Sequence, residues 1–322
     1  MIDKDNLRIV FMGTPDFAVP TLQRLCDNGF HVVAVVTQPD KPVGRHGSVK
    51  QPSAVKRYAL ERNIPVLQPE KMKDPAFLET LGSYRPDLQV VVAYRMLPEA
   101  VWGLPRFGTF NVHAALLPQY RGAAPINWAI INGEIRTGVT TFFLDAQIDT
   151  GRIILQKPFD IPDDADVEYV YDGLKELGAD LALETIGLLS AHDGSVETID
   201  QATRTIGELH DAPKLFKENC RIDWNRSAKQ IYDFVRGLSP VPGAWTTMTD
   251  EKQTTLKVYR TAKTGQPAHE QPGTMVIDKN RLMVAANDDL LEIVELQPAG
   301  KKRMKARDFL NGNHDAALYR LV

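Results

Sequence analysis

The chain has 322 residues, of which 43% are hydrophobic and 25% charged, and its formal net charge is −3 at pH 7. This composition is ordinary for a soluble globular protein, and the length suits two domains better than one. No apolar run approaches the roughly eighteen residues of a membrane span, and the N-terminus lacks a signal-peptide pattern. Because Cys26 and Cys220 are far apart and the histidines show no ligand spacing, we expect free thiols in a reducing cytoplasm and no metal site.

The two parts of the chain differ in charge. Residues 1–213 contain 20 Lys and Arg against 28 Asp and Glu, whereas residues 214–322 contain 18 against 13. A basic C-terminal part suggests an anionic partner such as nucleic acid. A mildly basic small domain without such a partner has the same composition, so charge alone does not decide between the two.

The first elements are predicted to be a strand, a helix and a second strand. An apolar run ends at Gly13, and Thr14 and Pro15 then predict a helix start, with Thr14 as the N-cap and Pro15 at the first helical position. Residues 31–37 form the next strand, which implies a parallel sheet with right-handed crossovers. Because only one glycine is present, the first turn lacks the fingerprint of a dinucleotide-binding fold.

Strands continue to alternate with helices along the next part of the chain. The further strand predictions are Leu88–Ala93, Gly108–His113 and Gly138–Leu144. The helix predictions are Val55–Arg62, Asp74–Gly82, Ala124–Gly133 and Val167–Ala191. This alternation predicts an α/β catalytic domain over residues 1–192, Rossmann-like and with a mostly parallel sheet.

The pattern changes after residue 192. Residues 193–213 are polar and weakly periodic, which predicts a linker. One helix follows, from Ser227 to Arg236. The next apolar runs are short and closely spaced, at Leu256–Arg260, Gly273–Ile277, Leu282–Ala285 and Leu290–Leu296. Such spacing is typical of a small β-barrel, so we predict a C-terminal β-barrel domain of OB type over residues 214–322.

The most informative motif places Asn111 and His113 two residues apart in an apolar run. In a strand both side chains point to the same face, because successive side chains alternate. An amide donor beside a proton acceptor suits attack on a carbonyl carbon. Asp149 follows in a tight-turn setting and completes a candidate Asn/His/Asp site. An aspartic-protease interpretation of Asp149-Thr150-Gly151 fails, because that mechanism needs two carboxylates and the chain has no second such triplet.

Several segments resemble the folate-dependent formyltransferases, namely residues 111–118, 120–125, 137–140 and 149–151. Other segments are similar to the members that act on aminoacyl-tRNA, namely residues 13–17, 37–40, 221–224 and 296–302. The resemblance implies cytoplasmic transfer of a formyl group from 10-formyltetrahydrofolate to the amine of methionine esterified to initiator tRNA. Two alternatives stay open. One is a formyltransferase for an amino-sugar nucleotide or a purine precursor, and the other is a non-catalytic RNA-binding protein.

The resemblance also implies a role for each polar residue of the motif. Asn111 would donate to the formyl oxygen, His113 would take a proton from the attacking amine, and Asp149 would hold the imidazole. Each residue alone has an ordinary structural explanation, such as a strand asparagine bonded to backbone groups. Their combination is what favours catalysis.

The segment after His113 is implied to line the folate site through backbone and apolar contacts, by Ala115, Leu116, Leu117 and Pro118. Position 115 is usually serine in the family, so a hydroxyl contact to folate would be lost here whereas a backbone contact would survive. The stretch Tyr94–Pro98 is one residue shorter than the commoner family form, which alters the predicted pterin pocket.

Five basic residues are predicted to contact tRNA: Arg45, Lys50, Lys301, Lys302 and Arg303. The first two lie in a loop that, by resemblance, inserts at the acceptor end of tRNA, with Arg45 in the place of the family's key arginine. The other three belong to the densest basic run of the chain, for which a merely solvated surface is the alternative. We expect a monomer with no membrane partner.

Overall fold

The computed structural model describes residues 6–43, 49–205 and 207–322. These residues divide into two compact units. The first contains the described chain up to Gly122, Thr137–Phe159 and Tyr171–Asp211, and the second contains Ala123–Arg136, Asp160–Val170 and Ala212–Val322. The domain limits predicted from the sequence, 1–192, 193–213 and 214–322, stay a prediction. Within the described ranges, no helix has the length and apolar character that crossing a membrane requires.

Strands and helices alternate up to residue 191. The strands in this part are β1 (Ile9–Gly13), β2 (Val32–Val36), β3 (Lys41–Val43), β4 (Val49–Gln51), β5 (Val66–Leu67), β6 (Leu88–Val92), β7 (Thr109–His113), β8 (Arg121–Gly122), β9 (Arg136–Phe143) and β10 (Ile153–Asp160). The helices are α1 (Val19–Asp27), α2 (Ala54–Glu61), α3 (Pro75–Ser83), α4 (Glu99–Trp102), α5 (Pro125–Ile131) and α6 (Val167–Ala191).

The central sheet of the described chain has seven strands in the order β10-β9-β7-β6-β1-β2-β5. β1 pairs in parallel with β2 and β6, and β6 pairs in parallel with β7, whereas β9 runs antiparallel to β7. Every residue of β1 and of β6 is buried, as expected for parallel strands that are covered on both faces. The predicted mostly parallel, Rossmann-like sheet is confirmed.

The helix start predicted at Thr14 and Pro15 is wrong. Pro15 precedes a single 3-10 turn, Asp16–Ala18, and α1 begins only at Val19, with a proline in its own first turn. The Thr14 hydroxyl accepts a hydrogen bond from the backbone N–H of Gln38 at 3.4 Å, so it does not cap the helix. A threonine oxygen bonds backbone groups outside helices as readily as it caps them, which explains the error.

The rest of the chain is a mainly antiparallel β structure. Its elements are β11 (Asp211–Ala212), α7 (Ala228–Leu238), β12 (Ala244–Thr247), β13 (Thr255–Pro267), β14 (Met275–Asp278), β15 (Arg281–Ala285), β16 (Asp289–Pro298), β17 (Met304–Lys305) and α8 (Ala306–Asn311). Among the described strands, β12 to β17 form one sheet in the order β12-β13-β16-β15-β14, with β17 paired to β16, whereas β11 pairs with β8. Leu321 bridges to Met248 just after β12, and Arg320 bridges to Thr274 just before β14. The C-terminal residues thus join the two edges of the sheet, which confirms the predicted barrel.

Helices α5 and α7 pack closely within the second unit. A Cβ added at Gly237 would lie 2.7 Å from the Ile131 side chain, so this contact requires glycine. The Asn127 amide donates to the Gly237 carbonyl oxygen at 2.8 Å. On α7 the buried Arg236 bonds Asp233 at 2.8 Å and the carbonyl oxygen of Ala165 at 2.9 Å. These contacts tie residues 123–136 and 160–170 to the C-terminal part of the chain.

Candidate active site

Strand β7 carries Asn111 and His113, as the sequence predicts. Asn111 lies opposite Phe142 of β9, and His113 lies opposite Thr140, so the two residues share one face of the sheet. The Asn111 side chain is partly exposed, whereas His113 is buried, with 6% of its side chain accessible. Among the described residues the Asn111 carboxamide forms no side-chain hydrogen bond, and its side chain is only partly buried.

The His113 imidazole is held at one nitrogen. Its Nε2 lies 2.9 Å from the carbonyl oxygen of Tyr120. Because a carbonyl oxygen only accepts hydrogen bonds, Nε2 carries a hydrogen and donates it. Nδ1 is therefore the nitrogen that can exchange a proton, and it lies 3.7 Å from Asp149 Oδ2. The ring also packs edge-on against Phe142, with the ring centroids 6.4 Å apart, which restricts its rotation.

Asp149 lies in the connection between β9 and β10. Its φ angle is +54°, in the left-handed region that aspartate tolerates better than most residues. Its Oδ2 accepts a hydrogen bond from the backbone N–H of Gly122 at 2.9 Å, and the same oxygen faces His113. A Cβ at Gly151 would overlap the carbonyl oxygen of Phe143, so the turn can pack this closely only with glycine. The structure therefore brings His113 and Asp149 together, with Asn111 on the same strand.

The segment predicted to line the folate site is held by two polar side chains that the sequence analysis missed. Thr140 Oγ1 donates to the carbonyl oxygen of Ala115 at 2.6 Å and accepts from the backbone N–H of Leu117 at 3.1 Å. Gln156 donates to the carbonyl oxygen of Leu117 at 2.8 Å and to Thr140 Oγ1 at 2.9 Å. These backbone groups are thus already bonded within the protein. Of the four predicted residues, Leu116 is the one whose side chain is not buried.

A cavity of about 640 Å³ lies in the first unit. It is lined by Met72, Lys73, Met96, Leu97, Pro98, Glu99, Ala100, Trp102 and Ala146. Its size and largely apolar walls are typical of small-molecule sites. Met96, Leu97 and Pro98 belong to the stretch that the sequence analysis linked to the pterin pocket. Ala146 lies in the same connection as Asp149, so one loop contributes both to the cavity wall and to the candidate catalytic set.

The predicted tRNA contacts of the first unit are only partly described. Lys50 is exposed on β4, in the hairpin that β3 and β4 form. Arg45 lies outside the described residues. At the base of this hairpin Lys56 bonds Asp40 at 2.7 Å and Gln68 at 2.7 Å. Hydrogen bonds from Lys56 and then Gln68 hold the pKa of the Asp40 carboxyl below its usual range.

The predicted tRNA contacts of the second unit differ among themselves. Lys301 and Lys302 are exposed in the turn between β16 and β17. Arg303 is also exposed, but its guanidinium bonds Glu295 at 2.7 Å and lies 4.4 Å from the centre of the Tyr259 ring. The hydrogen bond to Glu295 raises the pKa of Arg303 above its usual value. Arg303 therefore already has protein partners, whereas the ammonium groups of Lys301 and Lys302 form no hydrogen bond or ion pair with any residue that the structure describes.

Two family models match the chain: the formyl transferase model over residues 7–186 and the formyl transferase C-terminal domain model over residues 214–314. A methionyl-tRNA formyltransferase of Parabacteroides distasonis is 57% identical over 323 residues, with 98% of both chains covered. A methionyl-tRNA formyltransferase of Bacteroides fragilis is 51% identical, with 97% of this chain and 96% of the relative covered. The chain belongs to the methionyl-tRNA formyltransferase family.

Family membership confirms the resemblance that the sequence motifs indicated. The fold is also similar to that of the sugar 3N-formyltransferase WlaRD, solved in the presence of dTDP and 5-N-formyl-tetrahydrofolate. The TM-score is 0.64 at 18% identity, with 92% of this chain and 99% of that chain covered. At this identity the likeness concerns the fold alone. Membership in the methionyl-tRNA formyltransferase family rests instead on the 57% and 51% identity to the two relatives over nearly the whole chain.

Proposed function

We propose that this chain transfers the formyl group of 10-formyltetrahydrofolate to the amine of initiator methionyl-tRNA, which yields N-formylmethionyl-tRNA for translation initiation. The observation that supports this most directly is the arrangement around His113. Its Nε2 donates a hydrogen bond to the Tyr120 carbonyl oxygen, and its Nδ1 lies near the Asp149 carboxylate. Asn111 lies on the same face of the strand as His113. This arrangement suits proton transfer next to a carbonyl group that becomes an oxyanion.

The attacking amine must be neutral and must lose a proton as the new bond forms. Free α-amines titrate at about pH 7.7–8.0, and an ester neighbour lowers this value, so much of the amine is neutral at physiological pH. His113 Nδ1 accepts the proton that the amine nitrogen loses when it bonds the formyl carbon. The imidazolium then returns this proton to the leaving nitrogen. General acid–base catalysis of this kind contributes about 10²–10⁴ in rate.

Asn111 and Asp149 stabilise the two charges that develop. The Asn111 carboxamide donates to the formyl oxygen as it becomes negative, and the Asp149 carboxylate, 3.7 Å from Nδ1, stabilises the imidazolium. The Tyr120 carbonyl fixes the orientation of the ring throughout. No covalent bond to the protein is needed, because the amine attacks the formyl carbon directly.

We assign the folate to the first unit. Bound 10-formyltetrahydrofolate supplies the formyl carbon and a nitrogen leaving group. The cavity lined by Met96–Pro98 and Ala146 fits the bicyclic pterin ring, and the partly exposed Leu116 provides an apolar contact. Arg45, Lys50 and the basic run at Lys301 are proposed to bind tRNA phosphates by charge. Action as a monomer in the cytoplasm stays a prediction.

Incubation with 10-formyltetrahydrofolate and methionyl-tRNA, followed by mass analysis of the released amino acid, tests the proposal. We expect N-formylmethionine from charged initiator tRNA and no product from uncharged tRNA. Parallel reactions offer an amino-sugar nucleotide and a purine-precursor amine. Formylation of either one in place of methionyl-tRNA would overturn the proposed substrate. Binding of tRNA without turnover of any amine would indicate a non-catalytic RNA-binding protein.

A further inference from the structure

Gln201 is buried in a segment that is otherwise exposed. It begins a 3-10 turn, Gln201–Arg204, within the region predicted as a linker, and the rest of that turn is exposed. Only 2% of Gln201 is accessible. Long polar side chains are rarely buried to this extent unless they are fully hydrogen-bonded. The contacts of this amide therefore define what it does.

The Gln201 amide uses its full hydrogen-bonding capacity. Its oxygen accepts from Arg121 Nε at 3.0 Å and from Arg121 Nη2 at 2.6 Å. Its nitrogen donates to the carbonyl oxygens of Asp149 at 2.8 Å and Gly151 at 2.7 Å. An exchange of the amide oxygen and nitrogen would set donors against donors and acceptors against acceptors in all four contacts, so the orientation is fixed.

These bonds hold the backbone that presents the Asp149 carboxylate to His113. Asp149 has a left-handed φ angle, a conformation that a non-glycine residue keeps only where the surrounding structure imposes it. Gln201 bonds the carbonyl oxygens of Asp149 itself and of Gly151, two residues later, while Gly151 packs against the end of β9. The direction of the carboxylate follows from this backbone geometry.

The structure assigns Gln201 the role of a positioning residue, whose amide holds the 149–151 turn so that the Asp149 carboxylate faces His113 Nδ1. This inference rests on the proposed function, because it requires His113 and Asp149 to take part in the reaction. It makes the segment predicted as a linker a supporting part of the catalytic site. The amide nitrogen, which donates to the turn, should affect the position of Asp149 and therefore kcat more than the amide oxygen, which accepts from Arg121.

The backbone around Gln201 is anchored independently of its side chain. Ile199 and Ile153 exchange two backbone hydrogen bonds, at 2.8 and 2.9 Å, and Arg152 bonds Thr198 at 2.6 Å. Substitutions at Gln201 should therefore leave the segment in place. Thermal unfolding of each variant checks this directly.

Two substitutions separate the halves of the amide. Gln201→Leu removes all four hydrogen bonds, whereas Gln201→Glu keeps the two acceptor bonds to Arg121 and loses both donations to the turn. We expect both variants to lower kcat by about 10- to 100-fold, with the KM values for tRNA and folate nearly unchanged, because a small misplacement of a catalytic group has this effect. Wild-type kcat in Gln201→Glu would overturn the assignment.

A matched control and a double-mutant cycle distinguish positioning from general support. Gln119→Leu removes two bonds to the same segment, to Glu208 O and His210 N at 2.9 Å each, without touching the turn. We expect this control to change kcat by less than about threefold. In an Asp149→Asn background, Gln201→Leu should add less than about threefold, since it acts through Asp149. Additive losses would instead indicate a merely structural role and overturn the inference.

The proposed function and this inference fail in different ways. Full activity of His113→Ala would overturn the proposed function. An inactive His113→Ala together with fully active Gln201 variants would overturn the positioning role alone.

Discussion

Around His113 most polar groups are bonded to one another, whereas the ammonium groups of Lys301 and Lys302 are exposed and form no side-chain hydrogen bond among the described residues. The first region depends on fixed geometry, since the Tyr120 carbonyl, the imidazole and the Asp149 carboxylate must keep their distances. The second region presents charge on flexible side chains. The comparison separates two requirements of the proposed reaction, which are chemistry at one carbon atom and capture of a large polyanion.

The two requirements tolerate error differently. A catalytic group that shifts by about 1 Å can lose a factor of about 10² in rate. A lysine that neutralises a phosphate acts over about 8–10 Å at physiological salt and needs no fixed direction. Substitutions in the first region should therefore change kcat without changing salt dependence, and substitutions in the second should do the reverse.

The largest effect is expected for His113→Ala. Loss of the proton acceptor at Nδ1 should lower kcat by about 10³–10⁴-fold while the affinity for methionyl-tRNA changes little. Single-turnover formylation and a tRNA-binding assay measure the two quantities. His31→Ala, at an exposed histidine of the same unit, is the matched control and should behave as wild type. Near-normal turnover by His113→Ala would remove His113 from the mechanism.

The next largest effect is expected for Asn111→Ala. Removal of one donor to a developing oxyanion costs about 10²–10³ in kcat. The effect should be confined to kcat, because the Asn111 amide is proposed to bond the formyl oxygen more strongly as charge develops. Steady-state kinetics with varied folate and varied tRNA test this. A rise in the KM for folate with unchanged kcat would mean that Asn111 serves binding instead.

The strongly patterned elements were predictable from the sequence. Helix α6 has the predicted limits Val167–Ala191, and β7 differs from its prediction by one residue, because long or clearly apolar patterns leave few alternatives. The sequence analysis does not predict strand β10, because this edge strand of the sheet contains Pro158, the partly buried polar residues Gln156 and Lys157, and the exposed Asp160. Edge strands tolerate proline and polar residues, so they lack the apolar pattern of a central strand.

The sequence predicts only those parts of the candidate site whose residue types and spacing form a local pattern. Asn111 and His113 follow from their position on one strand. The hydrogen bond from His113 to Tyr120 involves a backbone carbonyl, which any residue has. Gln201 reaches Asp149 across 52 positions of the chain, and no local pattern encodes that contact. The supporting groups of a site are therefore harder to predict than the groups that react.

An intermediate effect is expected for Arg45→Ala, in the loop that the sequence analysis assigned to the tRNA acceptor end. Loss of one phosphate contact should raise the KM for tRNA by about tenfold and lower the slope of log affinity against log salt by about 1. Arg45→Lys keeps the charge and should retain most of the slope. Wild-type tRNA kinetics at every salt concentration would show that the loop is not a tRNA contact.

The smallest effects are expected in the basic run of the second unit. They test whether an exposed, unpaired charge contributes more to tRNA binding than a charge that is already paired within the protein. Lys301→Ala and Lys302→Ala should each weaken tRNA binding by a few-fold and lower the salt slope by about 1, whereas the exposed Lys252→Ala control should not. Arg303→Ala should weaken tRNA binding less than the two lysine substitutions do, because its guanidinium is already bonded to Glu295. It should also lower the melting temperature, since that bond is lost. If all three substitutions weaken tRNA binding equally, the bond to Glu295 does not keep Arg303 from contacting tRNA. Binding at this surface then depends on the number of exposed charges and not on which of them are paired.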